Sequence, residues 1–264
     1  MTSGRALIYL PPRFRALVVT GNEAVLLKRF PGAKRIEAGT LEARCAEADK
    51  QLENERKPSE AEFRHSPDSR FTRILDLRKF CNRPFTDSVA GDGRGGWTDQ
   101  GAENSLDGVP WGIQEFCGVP TEILRFDETE NRTCIVLDSR NLTHGFGAKE
   151  VRDIPLGGQL KNLYFFHCTA WTDDKEAYRF IVRYDDGSSL AVPVVCRKQI
   201  GDWWLGVTPH AGTEFRPAFR NTLGRGFHIW KWENPVPEKN AVAMDIVSAS
   251  GASIPVIVGI TAEF

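Results

Sequence analysis

From Phe71 onward, apolar and polar residues alternate with a period of two, the spacing of strands that bury one face. The clearest run is Tyr178, Phe180, Val182 and Tyr184, interleaved with Arg179, Ile181 and Arg183. Asp185-Asp186-Gly187 follows, and then Leu190, Val192, Val194 and Cys196 again occupy every second position. Two alternating arms around an Asp-Gly turn predict a β-hairpin. Pro193 has no N–H to give to a ladder, so the second arm is expected at a sheet edge or a bulge. Further strands are predicted over 73–77, 113–117, 122–126, 134–138, 163–169, 227–232, 241–247 and 254–261. Short strands divided by turn signals, with no helical pattern between them, predict a mainly β fold over 71–264. The architecture expected is an antiparallel β-sandwich. No repeat of a propeller or solenoid is present.

The first 60 residues read differently. Apolar runs at 6–10, 16–20 and 24–27 predict a short β-meander. Residues 40–57 carry the chain's one helical pattern: Thr40 as N-cap, then Leu41, Cys45, Ala48 and Leu52 on one stripe, with Pro58 as the stop. Residues 1–60 are therefore expected to form a small N-terminal β/helix segment, followed by a polar linker over 59–69.

Charge and motifs narrow the chemistry mainly by exclusion. Lys and Arg total 34 against 35 Asp and Glu, a net charge of −1, which offers no basic clamp for nucleic acid. No apolar run reaches the roughly 18 residues of a membrane span. The six cysteines, at 45, 81, 117, 134, 168 and 196, include no CxxC pair, and buried free thiols are expected. The chain has no GxSxG, HExxH, GxxxxGK[ST] or strand-linked GxGxxG. The five histidines are scattered, and Asp185-Asp186 reads as turn chemistry. An enzymatic reading, as a lyase or glycosidase, would have to use Tyr184, His167 and a neighbouring acid for proton transfer.

The seven Trp against two Met change the picture. Ala90-Gly91-Asp92-Gly93-Arg94-Gly95-Gly96-Trp97-Thr98-Asp99-Gln100-Gly101 packs five glycines into twelve residues, an irregular loop with several positive-φ positions. Asp99, Gln100 and Asn104 are planar hydrogen-bonding groups suited to sugar hydroxyls, and Trp97 and Trp111 offer flat faces for the C–H side of a pyranose. A competing reading has Trp97 plugging the end of the sandwich. Asp92, Asp99 and Asp107 could alternatively give hard oxygen ligands to a structural calcium ion. In a second cluster, Trp203 and Trp204 are adjacent and must point to opposite sides if extended, while Trp230 and Trp232 share one face of a strand. Trp203, Trp204 and Trp230 join the candidate aromatic platform, with core packing as the alternative.

Several motifs taken together resemble a family of galactose-binding-like jelly-roll modules. They are Ile74-Leu75-Asp76-Leu77, Gly96-Trp97-Thr98-Asp99-Gln100-Gly101, Gly118-Val119-Pro120, Tyr184-Asp185-Asp186-Gly187, Asp202-Trp203-Trp204 and Trp232-Glu233-Asn234-Pro235. Modules of this kind occur beside glycoside hydrolase domains in large bacterial polysaccharide-processing proteins. The family often has Asp after the loop Asn, whereas here Ser105 follows Asn104. The resemblance implies a non-catalytic module that binds a polysaccharide or oligosaccharide. It also implies an upstream glycoside hydrolase domain as partner and, for such a protein, a secreted or periplasmic address. A structural alternative is a sandwich that packs on a glycosidase domain or on a second copy.

Overall fold

A computed structural model describes residues 72–264, except Glu128, Thr143 and 206–211, together with three short strands before residue 36. The chain divides into two compact units, residues 1–64 and 65–264. In the first, β1 (Arg5–Tyr9) pairs antiparallel with β2 (Ala16–Thr20) and with β3 (Lys34–Arg35), giving the order β2-β1-β3. The hairpin expected at 6–10 and 16–20 is therefore present. The run at 24–27 and the helix at 40–57 lie outside the described residues.

The second unit is a sandwich. Its strands are β4 (Thr72–Ile74), β5 (Gly112–Phe116), β6 (Val119–Ile123), β7 (Ile135–Val136), β8 (Glu150–Gln159) and β9 (Asn162–Ala170). They continue with β10 (Glu176–Tyr184), β11 (Ser189–Val195), β12 (Arg216–Arg220), β13 (Gly226–Glu233), β14 (Asn240–Ser248) and β15 (Ile254–Glu263). A four-stranded sheet has the order β11-β10-β14-β8. A six-stranded sheet has the order β12-β13-β9-β15-β4, with β7 also on β15, and β5-β6 stand as a separate hairpin. Every pairing between these strands is antiparallel.

The main core lies between the two sheets. Tyr178, Phe180, Val182 and Tyr184 of β10 join Met244 and Ile246 of β14 and Ile154 of β8 in one cluster with Phe165 of β9, Trp230 of β13 and Ile260 of β15. Phe165 sits 4.9 Å from Phe180 and 5.7 Å from Trp230, ring centre to centre. Each such side chain contributes about 2 kcal/mol by leaving water.

The six-stranded sheet is covered on its other face too. Leu163 to Ala170 are all buried, and alternate residues Tyr164, Phe166 and Cys168 join a second cluster with Phe85, Trp97, Leu106, Ile123 and Trp203. A strand buried on both faces loses its polar alternation, which is why 163–169 reads as one apolar run.

Two strands carry no alternating signal in the sequence. β8 contains Pro155, Gly157 and Gly158, and Asp153 takes a φ of 61°, so its register against β14 shifts twice. It is an edge strand, where proline and irregularity are tolerated. β12, at the edge of the other sheet, is Arg-Pro-Ala-Phe-Arg. Pro193 lies on the edge strand β11, as its missing N–H requires. The five described cysteines are unbridged; Cys117 is exposed and the other four are buried. Burial pushes the Cys81 thiol up to about 12. Among the described residues no helix is long and apolar enough to cross a membrane.

His167 and His228 face each other across the β9–β13 ladder and are both buried. His167 Nδ1 lies 2.7 Å from the Tyr178 hydroxyl and its Nε2 lies 3.0 Å from the Gln199 carbonyl. Burial lowers both imidazoles to about 3, and for His167 the neighbouring His228 adds to the effect. Below pH 6.5 the unfolded chain takes up protons that the folded chain refuses until about pH 3. Stability is therefore full above pH 6.5 and falls as pH drops through that window, by about 1.4 kcal/mol per pH unit per histidine. Urea midpoints between pH 7.5 and pH 5 should show this fall, with a shallower slope in His228→Asn. A midpoint independent of pH over this range would contradict the burial of two neutral imidazoles.

Candidate functional site

Between β4 and β5 the chain contributes Phe85, Trp97, Leu106 and Val109 to the cluster on the outer face of the six-stranded sheet. A loop that covers a sheet must satisfy its own backbone, and Arg83 does this for the glycine-rich stretch. Its Nε donates to Gly96 O at 2.9 Å, one terminal nitrogen to Gly93 O at 2.9 Å and the other to Gly95 O at 3.0 Å. The guanidinium lies 3.8 Å from the centre of the Phe146 ring. Gly95 is needed for close approach, because a Cβ there would meet the Asp87 Cα at 2.7 Å. Gly93 and Gly96 have φ values of 71° and 51°, which glycine takes without strain.

Carboxylate oxygens of Asp87, Asp92 and Asp99 come within 4.8 Å of one another. Asp92 and Asp99 thus meet as the calcium reading expects, but Asp87 is the third member of the group and Asp107 is not in it. Asp107 instead accepts from the Gly108 N–H in an exposed turn. The carboxylates also have partners within the loop. Asp87 accepts from Gly101 N at 2.9 Å, Asp92 from Arg94 N at 2.8 Å, and Asp99 lies 2.8 Å from His144 Nε2 and accepts from Gly93 N at 3.1 Å. Calcium sites in loops draw on backbone carbonyls as well as carboxylates. Here three such carbonyls are taken by Arg83, a fixed cation built into the chain. Arg83→Met, which keeps the apolar stem, should cost about 3 kcal/mol by stranding these carbonyls. Calcium or a chelator should leave the melting temperature unchanged. A melt raised by calcium would assign the three carboxylates to an ion instead.

Next to this loop, a cleft of about 290 Å³ opens beyond the end of β9, lined by Thr98, Gln100, Ala170, Trp171, Asp202, Trp203 and Trp204. Its volume is near the lower end of small-molecule sites. Two of its indoles are half-exposed, Trp171 at 43% and Trp204 at 47%. Trp203 is buried at 2% and packs edge-on against Trp97, with ring centres 4.9 Å apart. Asp202 connects the two exposed indoles: one carboxylate oxygen accepts from Trp204 N at 2.9 Å, and the other from the Thr172 hydroxyl at 3.1 Å, next to Trp171. The Arg225 guanidinium lies 3.6 Å from the Trp204 ring centre, and its Nη2 donates to Asn104 Oδ1 at 3.0 Å. Thr98, more than nine-tenths buried, has a hydroxyl with no hydrogen-bond partner. Trp171 holds a φ of 52°, the left-handed region that a bulky residue enters only at a cost of about 1–3 kcal/mol.

The cleft thus joins Gln100, Trp203 and Trp204 of the expected platform, and the adjacent pair splits into one buried and one exposed ring as their alternation demands. Other candidates are corrected. Trp97 is 2% exposed and plugs the second core, so it has no face for a sugar. Trp230 is 4% exposed and stacks on Phe165 and His167 between the sheets. Trp111 lies against Phe85 and Phe126, outside the cleft lining. Asp99 turns its carboxylate to His144 and Gly93, and Asn104 supports Arg225 behind Trp204; neither lines the cleft. His167 and Tyr184 do not form a proton-transfer pair. The first is sealed in the core, and the second donates to Asn234 Oδ1 at 2.8 Å. The sequence reading missed Thr98, Asp202 and Trp171 as site residues. The signal for Trp171 was a large aromatic placed directly before the turn-forming Thr172-Asp173-Asp174 at the end of a strand.

The chain as a whole matches no family model, no curated protein and no solved structure.

Proposed function

We propose that the described sandwich is a non-catalytic carbohydrate-binding module and that the cleft between Trp171 and Trp204 is its site. One observation carries this reading. Two half-exposed indoles flank a small cleft that also holds a carboxylate, an amide and a partnerless buried hydroxyl. Sugar rings present apolar C–H faces and hydroxyl edges, and this set offers a counterpart for each. The strain at Trp171 is in keeping with the reading, since strained backbone positions occur often at ligand sites, though here it also occurs in ordinary turns such as that of Cys117. The chain changes sheet at β8–β9, β9–β10, β11–β12, β13–β14 and β14–β15 and stays in one sheet at β10–β11 and β12–β13; these repeated crossings support a jelly-roll reading of the sandwich. The resemblance to modules that accompany glycoside hydrolases is consistent with this function and makes a polysaccharide-processing protein the context we favour.

The test is affinity electrophoresis and Trp-fluorescence titration against a panel of plant and algal polysaccharides. Trp204→Ala and Trp171→Gly should each weaken retention at least about tenfold, the equivalent of 1.4 kcal/mol. Glycine adopts the Trp171 backbone without strain, so that variant should keep its melting temperature. Trp111→Ala should leave glycan binding intact. Unchanged retention in both cleft variants would refute the site.

A second reading, association with a glycosidase domain or with another copy, has its own support. Ile113 on the β5–β6 hairpin is 72% exposed, and Phe126, in contact with Trp111, is 53% exposed. Light scattering across concentration should give a mass that rises for the native chain and stays monomeric for an Ile113→Glu/Phe126→Glu double variant. A native monomer at every concentration would remove the self-association form of this reading.

A further inference from the structure

The chemistry of the cleft says which sugars it can accept. Among the described residues, Asp202 is the one charged side chain in its lining; the indoles, Thr98 and Gln100 are neutral. Asp99, placed in sequence between Thr98 and Gln100, belongs to the three-carboxylate group of the neighbouring loop. The Arg225 guanidinium lies over the Trp204 ring within electrostatic reach of Asp202, but it is engaged by Asn104 Oδ1 and Leu223 O and is not among the described lining residues, so it tempers the Asp202 charge without offering a partner inside the cleft. A neutral sugar hydroxyl can donate to the remaining lone pairs of Asp202, a charge-assisted bond. A uronate or sulfate has no proton to give. It would lose hydration with no cation among the described lining residues to replace it and would face the Asp202 carboxylate at short range.

Resting on the sugar-binding reading above, we propose that the cleft takes an uncharged sugar unit and that Asp202 is the residue that excludes uronate and sulfated glycans.

The experiment compares retention of the full chain in gels containing galactomannan or xyloglucan with the same polymers oxidised at C6 to the uronate, alongside native polygalacturonate and carrageenan. The native chain should be retained by a neutral polymer and should bind its oxidised form at least about tenfold more weakly, with the gap narrowing as salt is raised. Asp202→Asn keeps an acceptor for Trp204 N and removes the charge, and it should close most of the gap. Gln100→Lys, at an exposed position of the lining, should narrow it without touching the Asp202 bonds. Equal or tighter retention of the anionic polymers by the native chain, lost in Trp204→Ala, would overturn the exclusion while leaving the cleft as the sugar site. No retention by any polymer, or retention indifferent to Trp171→Gly and Trp204→Ala, would overturn the sugar-binding reading and the exclusion with it.

Discussion

The described unit depends on a sheet that cannot face water on either side. β9 and β15 carry buried side chains at nearly every position, so the six-stranded sheet needs a cover on the face turned away from its partner sheet. That cover is the β5–β6 hairpin together with irregular chain, and the irregular part brings unpaired amides and carbonyls with it. Arg83 answers this with three N–H donors in a rigid fork, meeting the carbonyls of Gly93, Gly95 and Gly96, while Phe146 takes the flat face of the guanidinium. Lysine, a point charge on a flexible stem, could not make that set of contacts. The glycines are there because the chain must turn through positive φ and pass close to Asp87.

The cleft follows from the same constraint. Where the loop layer ends at Thr98 and Gln100, it meets the end of β9 and the segment carrying Asp202, Trp203 and Trp204. Trp203 turns inward to pack on Trp97, and its neighbour Trp204 is left outward. One side chain, Asp202, then ties the Trp204 backbone to the Thr172 turn, so the positions of the two exposed rings are coupled through a single carboxylate.

Much of the sandwich was legible because alternation survives wherever one face is wet. The β10–β11 hairpin, its Asp-Gly turn and the edge position of Pro193 could all be read from the chain. β8 could not, because its glycines, proline and bulges erase the period that announces a strand. The Trp residues were harder, since composition says how many indoles there are and not which face each takes. Trp203 and Trp204 carried that information through their adjacency, and Trp230 and Trp232 in part through their spacing of two, which sets them on one face without saying which face is buried. Trp97 and Trp230 sit in stretches as rich in function-like residues as any, yet both serve the cores. Arg83 stands outside the glycine-rich stretch it organises, and its role rests on contacts ten to thirteen residues away that no local motif announces.

Trp171 is where stability and the proposed function separate. Glycine or asparagine would relieve the strain at Trp171 at no loss of turn geometry; other turns of the chain also place non-glycine residues at positive φ, Cys117 and Arg197 among them, but none of these carries so large a ring. Tryptophan there leaves a large ring 43% exposed, so it recovers only part of what burying an indole would contribute. The turn tolerates this because Asp202 holds Thr172 from outside the local chain and the β9 ladder anchors Ala170 on the other side. A strained, half-exposed aromatic held in place by its neighbours is poorly explained by folding alone. The proposed carbohydrate-binding reading draws on this ring as an apolar face offered to a sugar.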